Sequence, residues 1–439
     1  MAKRRVRAQL RLRAGIVLAL AGTALPLLAQ DTGGGPLGSL AKPVERVLLL
    51  DKPSQPPAFT VPVEPLGFSA PGPFYLGKRN SLVSLDFLDE NRLLFSFRAP
   101  GLLRREAGEE NKRQIRAVVL SLPSGAVESE ALWTVHDRAR YLWMLKDGHF
   151  LLRDRDNLKL GDETLELKPY LHFPGPLLSL EMDPSQQFLV AYSHEPAAEA
   201  KKAAETPGSA PTAAGDKREP ATQPEMVVRI LRRDSGKVML VSRISTAVHL
   251  PINADGYLES LRGRGDKWLL SLKYFSGGSV VLGQVNSVSL PGVEFISERE
   301  MLVTIFSVTD PRKLVAMGTD GHPLWQYETL KAMIWPLLVR SPNGSRLACE
   351  ALVLDPSISS ATPAVGPEDV KGQLVEVLNA ADGKVVLHAP ASPVIDAGGN
   401  VAISPSGRRV AVLNGGKIQV FGLPPAPPLP KIGAYPPGR

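Results

Sequence analysis

One short phrase returns at three distant places in the 439-residue chain. It reads Asp183-Pro184-Ser185-Gln186-Gln187-Phe188-Leu189-Val190-Ala191, then Ser341-Pro342-Asn343-Gly344-Ser345-Arg346-Leu347-Ala348-Cys349, then Ser404-Pro405-Ser406-Gly407-Arg408-Arg409-Val410-Ala411-Val412. Apolar residues precede each copy, and an apolar strand follows the turn. Proline presets φ at the second turn position, and Ser or Asp at the first caps the turn with its side chain. Gly344 and Gly407 hold the fourth position, where positive φ lets the chain reverse into a hairpin. Leu88-Asp89-Glu90-Asn91-Arg92-Leu93-Leu94-Phe95 is a degraded copy.

A second phrase follows downstream. Leu120–Val127, Ile230–Val238 and Val377–Val385 each join two strands through Ser-Gly or Asp-Gly, at Gly125, Gly236 and Gly383. Thr319-Asp320-Gly321-His322-Pro323-Leu324-Trp325 is a fourth variant. Such turns between apolar, β-branched runs mark hairpins. The two phrases together spell strand, Ser-Pro turn, strand, variable loop, strand, Gly turn, strand. That is the four-stranded antiparallel blade of a propeller. Second strands are expected near Leu93, Phe150, Phe188, Trp268, Leu302, Leu347 and Val410, so the chain predicts an all-β propeller of seven blades. Six or eight blades stay open, because the copies after Phe87, Leu145, Gly256 and Val293 diverge. Forty prolines, thirty-nine glycines and no long amphipathic pattern agree with short strands joined by turns.

The spacing of these strands, about 34 to about 80 residues, implies insertions. The largest, near 195–223, is rich in Ala, Lys, Glu, Pro and Thr and reads as a disordered loop. Asp355–Asp369 and Arg104–Gln114 read as solvated excursions. Residues 30–45 form a Gly/Pro-rich lead-in, 46–423 the propeller and 424–439 a proline-rich tail. Lys417–Phe421 is the third strand of the last blade, which leaves that blade one strand short. Arg46–Leu50 is the strand expected to close the ring, with Pro53–Pro65 as an extended connection.

The Ser-Pro-x-Gly hairpin and the Asp/Ser-Gly-Lys-Val turn resemble the repeats of bacterial WD-repeat-like, Tol-type and YVTN-type propellers over most of residues 75–423. No Trp-Asp dipeptide occurs, and Gly-His appears only at Gly148-His149 and Gly321-His322, so strict WD repeats are not matched. The resemblance implies the fold and leaves function open, since that superfamily holds scaffolds, binding modules and enzymes.

The first residues read differently. Lys3, Arg4, Arg5, Arg7, Arg11 and Arg13 precede an uncharged apolar run from Ala14 to Ala29. A basic start, a short apolar core and a small exit residue make a secretory signal peptide over 1–29. Sixteen helical residues rise only about 24 Å against a hydrocarbon core of roughly 30 Å, so cleavage near Ala29 is favoured over an anchor. An uncleaved signal would be the chain's only hold on a membrane. The expected location is periplasmic or secreted. Six of the seven net positive charges lie in this segment, leaving about +1, which gives no support for nucleic-acid binding.

Searching for chemistry yields no catalytic, cofactor or metal residue. His136, His149, His172, His194, His249, His322 and His388 lie in no metal-ligand spacing. No Gly-x-Ser-x-Gly elbow or phosphate-binding loop occurs. The single cysteine, Cys349, excludes an internal disulfide and reads as a buried thiol rather than a reactive one. Arg264-Gly265-Asp266, a triplet displayed by some adhesion proteins, reads as a hairpin loop before the strand Lys267–Tyr274. Asp89-Glu90 and Glu109-Glu110 read as solvated turns. Arg153-Asp154-Arg155-Asp156 reads as cross-strand ion pairs, with a calcium site at Asp154, Asp156 and Asn157 as the minor alternative. Trp133, Trp143, Trp268, Trp325 and Trp335 are expected to pack between blades.

The expectation is therefore an exported monomeric propeller that binds a protein or peptide through loops on one face. The alternative is an enzyme of lactonase or quinoprotein kind, with polar residues meeting in the central channel. A channel without Asp, Glu, His or Arg would dispose of it.

Overall fold

The computed structural model describes residues 52–70, 83–99, 112–136, 140–195, 225–244, 249–307, 312–328, 333–355, 366–395 and 398–435. The signal and lead-in, Arg46–Leu50, most of the 195–223 insertion, much of the two smaller excursions and Glu109-Glu110 lie outside them. The chain forms seven small antiparallel sheets in a ring. A first strand, β1 (Phe59–Pro62), precedes the blades. Blade one is β2 (Val83–Phe87), β3 (Arg92–Arg98), β4 (Arg113–Ser121) and β5 (Val127–Val135). Blade two is β6 (Leu142–Met144), β7 (Phe150–Asp154), β8 (Asn157–Gly161) and β9 (Leu167–His172). Blade three is β10 (Leu177–Met182), β11 (Phe188–Glu195), β12 (Glu225–Arg232) and β13 (Val238–Ile244). Blade four has β14 (Gly256–Arg262), β15 (Lys267–Tyr274) and β16 (Ser279–Asn286). Blade five is β17 (Gly292–Phe295), β18 (Glu300–Ile305), β19 (Lys313–Gly318) and β20 (Pro323–Glu328). Blade six is β21 (Met333–Arg340), β22 (Arg346–Leu354), β23 (Val370–Asn379) and β24 (Val385–Ala391). Blade seven is β25 (Val401–Ile403), β26 (Arg409–Asn414) and β27 (Lys417–Gly422), completed by β1.

The strand that closes the ring differs from the expected one. Phe59–Pro62 pairs with β27 in antiparallel register, Val61 opposite Ile418, so the closing strand comes from the segment read as a connection and not from Arg46–Leu50. Proline is tolerated there because β1 is the outer edge of its sheet and Pro62 ends it. Val61 packs with Ile418, Val420 and Phe95, joining blade seven to blade one.

Side-chain alternation explains the ring. Along β3, Leu93, Phe95 and Phe97 join the cluster shared with blade seven, while Leu94 joins the cluster shared with blade two. Along β11, Phe188, Val190 and Tyr192 face blade four, and Leu189 and Ala191 face blade two. Successive side chains point to opposite faces, so a strand covered on both reads as a continuous apolar run. The turn capping is also as the sequence dictates. Asp183 Oδ1, Ser341 Oγ and Ser404 Oγ accept the N–H of the residue five further on, at 2.6, 3.0 and 3.1 Å.

Six of the seven expected second strands hold: Leu93, Phe150, Phe188, Leu302, Leu347 and Val410 lie in β3, β7, β11, β18, β22 and β26. Trp268 does not; it lies on β15, the third position of blade four. The innermost position there is taken by residues 249–253, which contact β14 through an Ile252–Tyr257 bridge and a Leu258 N–H to Pro251 carbonyl bond of 2.8 Å. Pro251 has no N–H to give the ladder, so no regular strand forms. The turn persists in altered spelling, with Asn253 Oδ1 accepting the N–H groups of Asp255 and Gly256, both at 3.0 Å.

Two charge readings also change. Arg153 is buried and donates to the carbonyls of Leu177 and Leu178, and Arg155 and Asp156 form the β7–β8 turn. Asp154, 3.3 Å from Lys159, does make a cross-strand pair, and Asp156 lies 3.8 Å from His172 of β9. Glu90 is not merely solvated: its carboxylate and carbonyl accept from Ser406 N and Arg409 Nη1, both at 2.6 Å, tying blade one to blade seven.

Closure through β1 sets a test. Val61→Ala is expected to cost about 2 kcal/mol of unfolding free energy. Thr60→Ala, on the exposed side of the same strand, should cost less than about 0.5 kcal/mol, both measured by urea unfolding.

Candidate functional site

The inner strands surround a cavity of about 410 Å³ that opens on the face carrying the Ser-Pro turns. Around this mouth the turns bond to one another. Lys146 N donates to Gln186 Oε1 at 2.7 Å, Asn343 Nδ2 to the Ser406 carbonyl at 2.8 Å, and Asn253 Nδ2 to the Glu298 carbonyl at 3.2 Å. These bonds tie the turns in pairs, blade two to three, six to seven and four to five.

Asp86, Glu181 and Glu294 share one register. Each lies two residues before the turn's first residue (Leu88, Asp183 and Ile296), whose N–H closes the hairpin to the next strand. Blades one, three and five therefore each present a carboxylate to the cavity at the same level. Arg340 stands one residue nearer the mouth and donates to the carbonyls of Phe295 and Met182. Arg140 lies deeper, its Nε 3.0 Å from the Leu142 carbonyl.

Protein walls this space closely. Burial pushes the Asp86 carboxyl up to about 6, against the opposing pull of Arg140 and the 2.6 Å bond from Ser84 Oγ. Burial also raises Glu294, opposed by Arg340 and His249. Arg140 is lowered by the same burial, countered by Asp86 and Glu294. Neither acid nor base is at ease, so each lowers the cost of the other.

His249 enters from the irregular inner segment of blade four. Its Nδ1 lies 2.8 Å from Glu181 Oε1 and its Nε2 2.7 Å from the Val293 carbonyl. Two acceptors require two ring protons, so the imidazolium is the bound form. Burial would lower its pKa, but the Glu181 bond and charge overcome it and raise it to about 9. A ring with both nitrogens engaged has no lone pair to act as a base.

None of these carboxylates stands out in the sequence by residue type. Their signal was positional: an acid between large apolar residues just before a turn, at Leu85-Asp86-Phe87, Leu180-Glu181-Met182 and Val293-Glu294-Phe295. Of the seven histidines, His249 lines the cavity. His136 pairs with Asp154 at 2.8 Å, and His322 lies 3.4 Å from Asp320. Asp156 bonds Asn157 Nδ2 at 2.7 Å, and among the described residues no group of His, Cys, Asp and Glu is placed to hold a metal ion. Trp133, Trp143, Trp268 and Trp325 belong to clusters between blades, and Trp143 also lies in the wall of the cavity. Arg264-Gly265-Asp266 is the exposed β14–β15 loop, and Cys349 is buried.

No family model and no curated protein matches the chain. Among solved structures, the chain is similar to an acylaminoacyl peptidase of Pyrococcus horikoshii, with TM-score 0.44 and 11% identity over 76% of this chain. The match covers 49% of the peptidase, so this chain spans about half its length. A chain of a mitotic checkpoint complex is similar with TM-score 0.46 and 10% identity, over 87% of this chain and 96% of its own.

Two pH effects follow. His249 is raised from 6.5 to about 9, so its contribution to stability is full below pH 6.5 and lost as pH rises through about 9. The melting temperature of His249→Gln should therefore lie below that of the unaltered protein at pH 6, and the gap should close by about pH 10. Glu350, fully buried with Oε1 bonded by Gln373 Nε2 at 2.6 Å, is raised by burial to about 8 against the pull of Arg140. Its buried carboxyl is held comfortably only while protonated. Glu350→Gln should gain stability relative to the unaltered protein as pH rises from 4.5 to about 8, in the same melting series.

Proposed function

We propose that the protein is an exported binding module that takes a protein or peptide partner at the channel mouth, accepting a basic side chain into the carboxylate belt. The observation carrying this reading is the register shared by Asp86, Glu181 and Glu294. Glu181 is held by the His249 imidazolium, so Asp86 and Glu294 are the acids at this level that attract a cation, in a space where displaced water no longer screens them. Arg140 and Arg340 keep the belt from being a sink for any cation, which favours a partner that also brings an acceptor. Neighbouring rim turns are bonded to each other in pairs, which lessens the order lost when a partner docks. Export rests on the signal over residues 1–29, and the binding surface would then face the periplasm or the exterior.

A second reading is an enzyme acting in the same cavity, favoured by the meeting of Arg140, Glu294 and Asp86 with shifted proton affinities. His249 is excluded as its base by the two acceptors it already serves. A panel of lactone and ester substrates that gives no turnover would leave the binding reading standing.

Photo-crosslinking in whole cells tests the binding reading. A crosslinker replacing Lys146, exposed at the mouth, should capture a partner, and one replacing Asp266, on the opposite end of the ring, should not. Glu294→Gln should lower the Lys146 adduct by about fivefold or more. Adducts only at position 266, or equal yields with and without the Glu294→Gln substitution, would overturn the reading. The captured chain should begin at Gln30 by N-terminal sequencing.

A further inference from the structure

After β27 the chain does not leave the ring. Residues 424–435 run back across the turn face, from blade six to blade four. Arg346, fully buried at the start of β22, donates to the Pro424 carbonyl and to Asn379 Oδ1. The Gly433 N–H then donates to Asp320 Oδ2 at 3.0 Å, in the β19–β20 turn of blade five. Burial would raise Asp320, but the N–H groups of His322 and Gly433 hold it below the usual carboxylate range. No Cβ fits at Gly318 without meeting Ile432 at 2.9 Å, so the tail lies close upon that turn.

Tyr435 ends the described path in a built seat. Its hydroxyl donates to Asp255 Oδ2 at 2.5 Å and accepts from Asn253 Nδ2 at 3.2 Å. Arg299 lies over its ring at 4.3 Å, and Tyr274 meets it edge-on at 5.6 Å with planes at 84°. The ring packs against the apolar cluster between blades four and five. A phenol thus finds a donor, an acceptor, a cation on its face and an aromatic edge, while the backbone two residues earlier finds a carboxylate. Phenylalanine would forgo the hydroxyl's bonds to Asp255 and Asn253, so the seat favours tyrosine.

We propose that the turn face of blades four and five is a docking groove for an extended peptide carrying Gly-x-Tyr, and that the chain's own C-terminal segment fills it as a resident ligand. The groove lies beside the channel mouth, since Asn253 also bonds the Glu298 carbonyl, but it does not use the carboxylate belt. It stands whether or not a partner enters the channel. The tail is covalently attached, so its effective concentration is of millimolar order and a free peptide must compete against it. A partner bearing the same motif would be admitted only when the tail is released.

The test uses the full-length protein and a labelled peptide of residues 430–439, Pro-Lys-Ile-Gly-Ala-Tyr-Pro-Pro-Gly-Arg, followed by fluorescence anisotropy. Tyr435→Ala should free the groove and bind this peptide at least about tenfold tighter than the unaltered protein does. A peptide with phenylalanine in place of tyrosine should bind about tenfold or more weakly, because a hydrogen bond to a charged group is lost. Equal affinity of the two proteins, no binding to Tyr435→Ala at millimolar peptide, or equal affinity of the two peptides would overturn the proposal. Hydrogen exchange on the unaltered protein provides a readout independent of any variant. The Gly433 amide should be protected and should lose protection under millimolar unlabelled peptide; an amide that exchanges freely from the start would equally overturn it.

Discussion

Apolar contact between neighbouring blades is the interaction on which everything else depends. Seven clusters of buried residues appear among the described residues, and each joins one blade to the next, including the one that joins blade seven to blade one. A blade alone would expose both faces of its inner strands. Stacking around an axis covers both, and only a complete circuit leaves no blade with an open side. This is why the short Phe59–Pro62 strand matters more than its length suggests: it brings Val61 and Val63 into the last interface and binds the two ends of the ring together.

The same constraint creates the channel. Inner strands that converge on an axis cannot all meet, and the space left over must be lined by whatever their inward positions carry. Here those positions hold charges of both signs, and the protein wall around them makes each more dependent on its neighbours than it would be in water. Arg340 donates to two carbonyls and His249 is held by a carboxylate and a carbonyl, whereas Asp86 and Glu294 line the cavity with their charges opposed mainly by Arg140 and Arg340. The electrostatic tension is concentrated where a partner could relieve it.

The fold was largely readable because its signals are local. Ser341-Pro342-Asn343-Gly344 and Ser404-Pro405-Ser406-Gly407 specify a turn by themselves, and the runs after them fit only strands buried on two faces. What stayed hidden was long-range or compositional exception. Phe59-Thr60-Val61-Pro62 is four residues with a proline, and nothing local shows that β27, at the far end of the chain, is its partner. Blade four misled because Pro251 reduced its inner strand, so the bulky run at Trp268 looked like a second strand. The site was missed for another reason: Asp86, Glu181 and Glu294 have no spacing motif. They become a group only when three turns are aligned, so residue type alone passes over them and position within the repeat finds them.

Blade four is where the irregular inner segment of the ring and the two candidate surfaces coincide. Its inner ladder is one bridge and two backbone bonds, Leu258 N–H to the Pro251 carbonyl and Asn253 N–H to the Gly256 carbonyl, in place of a regular strand. Side chains add the rest: His249 reaches to blades three and five, Asn253 bonds Glu298, and Tyr435 from the far end of the chain bonds Asn253 and Asp255. Such a segment is tied by groups that can be exchanged for those of another molecule, whereas a strand in a full ladder is not. The irregular blade thus lies at the rim of the channel and under the tail because that is the place in the ring where contacts can be traded without opening an interface between blades.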